Sequence, residues 1–398
     1  MRLYRTQPLI SPLNYFARFQ QVQGIEPKSL ASRPIVHSVC CLGYLTKVKA
    51  RHHTEQHDLY KAITDRLIMD FSFFTGTIGR GPKLSRPLTR LEAAEAMRMI
   101  LAGVVEPIQL GGFLLVLRQR GETAPELAGF VDAVRTRLDM PLSSVTPDID
   151  WPSYADHHRQ QPWFVLVPVL LAANGIKVLM HGISGTLDGC APTRPALEAL
   201  GIRPSRSLAE ASTRLAAGNF AYVGLEDIAP EVERLFHLKP LLGVRSVANT
   251  FIRDLNPLGA ILSLVGIVHA AYRPLHQEAL GLLGQSNAAV FKGIGGEAHR
   301  NPFKSVQIAT LIDGAHGLED WPATLSGDAY VWRDEDLTPA RIAALWQGEI
   351  AHPAAEASIT ATTAIALKLM GRAKTRTEAI NLAQSMWHAR NRHQALTG

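Results

Sequence analysis

Four residues have side chains suited to chemistry at a sugar or phosphate centre. They are His181 before Gly182, Arg245 and Asn249 in Gly243-x-Arg245-Ser246-x-x-Asn249, and Glu297 after Gly295-Gly296. An imidazole can move a proton, a guanidinium can hold an anion, an amide can orient a substrate, and a carboxylate can serve as acid or base or bind a cation. His181 reads as a turn or packing residue before it reads as a catalyst, and Arg245 also reads as half of an ion pair. No Ser-His-Asp or Cys-His arrangement follows from the spacing. Cys40, Cys41 and Cys190 are too few for a disulfide framework or a four-cysteine zinc site. His52, His53 and His57 lie in an unpatterned stretch, so no metal site and no cofactor are expected.

The second available chemistry is phosphate binding by cations. The formal charge of +6 lies wholly before Met69, where ten Lys/Arg face four acids, so overall basicity says nothing about the remainder. Local charge is more informative. From His237 to Ile312, Lys239, Arg245, Arg253, Arg273, Lys292, Arg300 and Lys304 face only Asp254, Glu278 and Glu297. Arg80, Lys83, Arg86 and Arg90 follow Asp70 with no other acid among them, while acids crowd residues 313–356. Such asymmetry predicts one basic face. Tyr272, Phe291 and Phe303 lie near these cations and would stack on unpaired bases if exposed. Phe291, in an apolar run, reads instead as core.

The elements that must position these residues fall into two groups. Leu91, Ala94, Met97, Ile100 and Leu101 recur at helical spacing after a Thr89 cap, and Gly103 supplies a stop. A second helix is predicted over 106–120, ending at Gly121, and a third after Thr123 with Leu127, Phe130, Val131 and Val134 inward. Beyond about Asp150, apolar runs alternate with helical stretches, which predicts an α/β domain. Strands are expected at 177–181, 221–225, 288–292, 306–312 and 329–333. Helices are expected at 163–174, 207–217, 276–283, 354–370 and 377–388. Residues 1–68 read as an irregular extension, explicable by an upstream start codon ahead of Met69. The helical domain then spans 69–150 and the α/β domain 151–398, with part of 231–257 packing on the helices. Apolar runs are too short to cross a bilayer, so no membrane segment is expected, and the three cysteines fit a reducing cytoplasm.

Several stretches resemble anthranilate phosphoribosyltransferases. Residues 91–135 carry Gly103, Pro107, Gln109, Phe113, Leu117, Arg118 and Gly121-Glu122-Thr123, followed by Glu126 and Gly129. Gly175-Ile176-Lys177-Val178 leads into His181-Gly182, and Gly243 to Asn249 precedes Asn256-Pro257. The resemblance implies a nucleoside phosphorylase/phosphoribosyltransferase-type α/β fold, a small helical domain hinged to a larger mixed-sheet domain, with dimerisation through the helices and a cleft between the domains. Arg245 would correspond to the arginine that recognises the aromatic acid.

The residues that hold a diphosphate in that family are replaced. Its Gly-Thr-Gly-Gly-Asp loop reads Pro152-Ser153-Tyr154-Ala155-Asp156, followed by His157, His158 and Arg159. Proline lacks the amide donor, and Tyr154 and Ala155 place Cβ atoms where glycine leaves room. The lysine before His-Gly is Met180, the hydroxyl-rich helix start is apolar at Phe164 and Val165, and Ile183-Ser184-Gly185 keeps little of the Ser-rich loop. The metal-binding Asp-Glu pair is Gly296-Glu297, and one carboxylate makes a poor Mg²⁺ site.

This pattern is similar to the YbiB-like branch of the superfamily, whose members keep the dimeric fold and bind nucleic acid through basic surfaces. Gly79-Arg80-Gly81, Pro152-Ser153-Tyr154, Gly243-Val244-Arg245-Ser246 and Gly296-Glu297 with Asn301-Pro302 carry the likeness. It implies a homodimer binding nucleic acid, DNA in the first instance, without sequence preference and with a single-strand preference if the aromatics are exposed. Arg80, Lys83, Arg86, Lys239, Arg245, Arg253, Arg273, Lys292, Arg300 and Lys304 are the candidate contacts. The alternative is a divergent glycosyl or phosphoribosyl transferase using the remnant cleft residues His181, Asn249 and Glu297 with Arg245.

Overall fold

The computed structural model describes residues 70–398 except 142–144, 156–158, 185–190, 329, 334 and 393–398. The extension over 1–68, Asp156, His157 and His158 thus lie outside the described residues. Four helices open the fold: α1 (Ser72–Gly79), α2 (Arg90–Leu101), α3 (Pro107–Arg120) and α4 (Ala124–Arg135). The last three match the periodicity. Helix α1 carries two glycines and two threonines in eight residues, and tertiary packing holds it instead. Phe71 and Phe74 are buried beside α3, with Phe71 edge-on to Phe113 at 5.1 Å.

Both predicted threonine caps form capping boxes, Thr89 with Glu92 and Thr123 with Glu126, and each contributes about 1 kcal/mol. The Arg86 guanidinium, joined by the Thr89 backbone and hydroxyl, holds the Glu92 carboxyl down at about 2 against the opposing effect of burial. Glu126 is fully buried yet satisfied, because it accepts from Leu88 N, Thr123 N and Oγ1, and Arg120. Helices α2 and α4 cross closely at Gly129, where a Cβ would stand 2.2 Å from the Arg90 carbonyl oxygen.

Seven strands form one sheet: β1 (Ile149–Ser153), β2 (Val178–Gly182), β3 (Phe220–Gly224), β4 (Leu262–Ile267), β5 (Asn287–Lys292), β6 (Val306–Ile312) and β7 (Ala315–Trp321). Their order is β3-β2-β1-β4-β5-β6-β7, with the first five parallel and the last two antiparallel. Pro152, which cannot donate to a ladder, pairs in register with His181, while the pairing of β1 with β4 covers only Ile149 and Asp150. The connection from β1 outward reverses direction between β1 and β4, and the crevice beyond their carboxyl ends is where such sheets bind ligands.

The main core covers one face of the sheet. Trp163 to Ala172, including α5 (Leu166–Ala173), pack there with α11 (Pro353–Leu369) and α12 (Arg376–Ala389). Helices α6 (Thr193–Ala199), α7 (Leu208–Gly218), α8 (Pro230–Phe236), α9 (Arg273–Leu282) and α10 (Ala340–Gln347) complete the layers. The strand expected at 329–333 does not form: its described residues are loop, with Tyr330 and Trp332 packed on His352. The sequence pattern missed β1, in which Asp150 and Pro152 interrupt the apolar run, together with β4 and the polar edge strand β7.

The helical domain is fastened to the sheet domain. Phe130 packs on Phe251 at 5.6 Å, Arg90 Nη1 donates to the Leu282 carbonyl at 2.5 Å, and Arg135 Nε donates to the Leu255 carbonyl at 2.8 Å. Among the described residues, no helix is long and apolar enough to cross a membrane.

Candidate functional site

At the carboxyl end of β1 the chain turns inward. Tyr154 is 1% exposed, with its ring stacked on Phe236 at 6.1 Å and its hydroxyl 2.6 Å from His181 Nδ1. Burial pushes the Tyr154 phenol well above its ordinary pKa, so the phenol stays protonated and its O–H donates a hydrogen bond to Nδ1. On the opposite side of the ring, His181 Nε2 donates to Asp150 Oδ1 at 2.9 Å. All three side chains are buried. His181 is therefore a clamped structural residue, with both nitrogens engaged and no face presented to solvent.

Glu297 is likewise withdrawn. It is 0% exposed, and its Oε1 accepts the Ala155 backbone N–H at 2.8 Å. Gly293 makes this possible, because a Cβ there would stand 1.6 Å from the Glu297 carbonyl oxygen. Gly296 fills the neighbouring position without a carboxylate, in the left-handed region at φ 89°. The described residues therefore do not fit a Mg²⁺-bound diphosphate: the carboxylate that remains is spent on the backbone of the segment that replaced the glycine loop.

The ends of β2 and β3 add negative charge where an anion would need the opposite. Ser184 Oγ donates to Glu226 Oε1 at 2.7 Å, and Arg194 pairs with both Glu226 and Asp227, at 2.6 and 3.6 Å. Burial, then the adjacent Glu226, push the Asp227 carboxyl up despite Arg194. The hydroxyl and the guanidinium nearest this end are thus committed to carboxylates.

Beyond the filled cradle the character inverts. A cavity of about 100 Å³ lies where the helical domain meets the sheet, lined by Arg118, Arg245, Asn249, Arg253, Val268, His269 and Tyr272 among others. It adjoins, through Val268 and His269, a depression of about 830 Å³ that includes Arg273, Lys292, Lys304 and Arg333. That depression adjoins, through Gly295 and Arg333, a third of about 460 Å³ bearing Arg159. Among the described residues that line all three, none is Asp or Glu. The three adjoining depressions make a trough whose described lining residues carry several guanidinium and ammonium groups and no carboxylate.

The trough gathers some of the expected contacts and rejects others. Lys292 and Lys304 are exposed on it, and Arg245 and Arg273 are half-buried in its wall. Arg273 also donates to the Gln307 backbone and side chain, both at 2.9 Å. Arg253 and Arg300 must be withdrawn as surface contacts. Arg253 is 6% exposed and donates to the carbonyls of Gly266 and Gly296 at 2.9 and 3.0 Å. Arg300 is 0% exposed, bonded to the Pro322 carbonyl and 5.5 Å from the Trp321 ring, and burial lowers its pKa to about 10.

Arg80, Lys83 and Arg86 are exposed at the start of the helical domain but do not line the trough, and Arg86 pairs with Glu92 at 2.7 Å. Lys239, half-buried on the single turn Lys239–Leu242, also lies off the lining. Asn249 lines the smallest cavity with Arg245, apart from His181 and Glu297 in the interior. Phe291 is core at 0% exposure, Phe303 packs against the main core, and only Tyr272 of the three aromatics lines the trough. Sequence reasoning missed Arg118, Arg159 and Arg333 as trough residues. They come from a helix, a rebuilt loop and a segment misread as strand, and only folding brings them together.

The comparisons with known proteins agree with this architecture. Residues 77–138 match the family described as glycosyl transferase family, helical bundle domain. The chain is 29% identical over 277 residues to anthranilate phosphoribosyltransferase of Novosphingobium aromaticivorans, covering 69% of this chain and 80% of that one. It is 30% identical over 254 residues to the uncharacterized protein YbiB of Escherichia coli K12, covering 62% and 77%. Among solved structures, anthranilate phosphoribosyltransferase of Thermus thermophilus superposes with a TM-score of 0.68 at 22% identity, over 80% of this chain and 94% of that one. The Saccharomyces cerevisiae enzyme in complex with PRPP and Mg gives 0.68 at 15% identity, over 82% and 95%. With fold, helical domain and sequence in agreement, the chain belongs to the anthranilate phosphoribosyltransferase superfamily of glycosyltransferase family 3, in its YbiB-like branch.

Proposed function

We propose that this protein binds nucleic acid, DNA in the first instance, without sequence preference, along the basic trough of a scaffold whose diphosphate cradle has been filled. The observation that carries the reading is the run of three adjoining depressions with no carboxylate among their described lining residues. Lys and Arg along such a trough displace counterions from successive phosphates, which gives affinity that falls steeply with salt and hardly depends on base sequence. Exposed Leu91 and Ile108 on the helical domain suit a second copy of the chain, and a homodimer would present two troughs to one strand.

The test is titration of labelled oligonucleotides at several salt concentrations, with phosphoribosyl pyrophosphate as competitor. Binding of oligonucleotides of unrelated sequence with similar affinity is expected. Replacing Lys292, Lys304 or Arg333 with Ala should each weaken binding evenly across sequences and lower the salt slope by about 1. Unchanged slopes would remove the trough from the account.

A second reading, a divergent glycosyl or phosphoribosyl transferase, has the names of the relatives in its favour. Those compared above include anthranilate phosphoribosyltransferases, one of them bound to PRPP and Mg. Arg245 and Asn249 also still face a cavity between the two domains. Against it stand Tyr154 in the cradle and Glu297 turned onto the backbone. Competition by low concentrations of phosphoribosyl pyrophosphate, or its turnover with an aromatic acid, would establish the transferase instead.

A further inference from the structure

We infer that the cavity walled by Arg118, Arg245 and Tyr272 receives one unpaired nucleobase, so that the trough holds a single strand with a base turned sideways out of its path. This rests on the nucleic-acid reading above and gives that site its preferred substrate class.

The cavity differs from the adjoining depression in size and lining. At about 100 Å³ it has room for a single planar group and not for a duplex, whereas the depression has about 830 Å³. Its walls are mixed. Ile267, Val268 and the rings of Tyr272 and His269 offer apolar and aromatic surface, and Asn249 and Thr250 offer hydrogen-bonding groups opposite. A base needs those two things, a face to stack on and polar atoms along its edge. An amide supplies both a donor and an acceptor, so Asn249 can meet the edge of any base, which is consistent with binding that ignores sequence.

Tyr272 is prepared for stacking. Its ring packs against the cluster built by Val265, Ile267 and Leu280, and its hydroxyl accepts from Arg118 Nη1 at 3.3 Å. A ring fixed from two sides loses little freedom when a base settles on it. Phosphates on either side of the turned-out base would meet Arg118 or Arg245 at the mouth and His269 at the junction with the larger depression. A paired base cannot reach this cavity without leaving its partner, which costs a few kcal/mol and disfavours duplex.

The experiment compares three ligands of equal length: a single strand, the same strand with abasic sites throughout, and the corresponding duplex. Intact protein is expected to prefer the first. Tyr272→Ala should lose about tenfold on the single strand, the effect of one stacked base, and change little on the abasic strand or duplex. Tyr272→Phe should keep the affinity of the unaltered chain. A 2-aminopurine placed within the strand should lose fluorescence on binding to the unaltered protein, a readout that requires no variant. Equal affinity for all three ligands together with unquenched 2-aminopurine would overturn the base cavity while leaving the trough standing. Failure to bind any of the three would overturn both.

Discussion

At Tyr154 one side chain fills volume, supplies a hydrogen bond and fixes the orientation of a second residue. These roles separate experimentally. Tyr154→Phe keeps the volume and removes the hydroxyl, leaving His181 Nδ1 buried without its donor, and should cost about 1–3 kcal/mol. Tyr154→Ala also empties the cradle and should cost about 3–5 kcal/mol, as large aromatic truncations do. Urea unfolding of the two variants measures both losses. Equal losses would mean that the hydroxyl, rather than the ring, is what the interior depends on. Because Tyr154 does not line the trough, oligonucleotide affinity should survive either change wherever the protein stays folded.

At the scale of elements, the close crossing of α2 and α4 is the most exacting contact in the helical domain. Gly129→Ala would drive a methyl group into the Arg90 carbonyl, and since the obstacle is backbone the helices must separate. A loss of about 1–3 kcal/mol, read as a lower midpoint in thermal unfolding, is expected. The helices of this region were legible in sequence because their apolar spacing and threonine caps are local signals. Strand β1 was not, because Asp150 and Pro152 are residues that read against a buried strand until its neighbours are known. The loss of the diphosphate cradle could be read from Pro152, Tyr154 and Gly296 by resemblance. That Tyr154 and Glu297 turn inward, and that Arg118, Arg159 and Arg333 share one trough, depends on contacts between segments far apart in the chain, which no local pattern records. Arg253 and Arg300 failed for the same reason: charge predicts exposure until the fold finds carbonyls, or an aromatic face, for a buried guanidinium.

At the scale of the whole molecule, Leu91 and Ile108 are 80% and 86% exposed on successive helices of the chain. On the proposed homodimer they would be covered by a second copy, and light scattering on the intact chain is then expected to give twice the monomer mass. Replacing Ile108 with Asp should shift it to monomer and weaken binding to long oligonucleotides more than to short ones, since only long strands can engage two troughs at once. The inward turn of Glu297 carries a separate implication, about metal binding. Placing an aspartate beside it would not by itself build an ion-binding pair, because Glu297 is fully buried and its Oε1 is held by the Ala155 amide. Gly296→Asp alone is therefore expected to add no Mg²⁺ affinity, which calorimetric titration of the variant with Mg²⁺ checks.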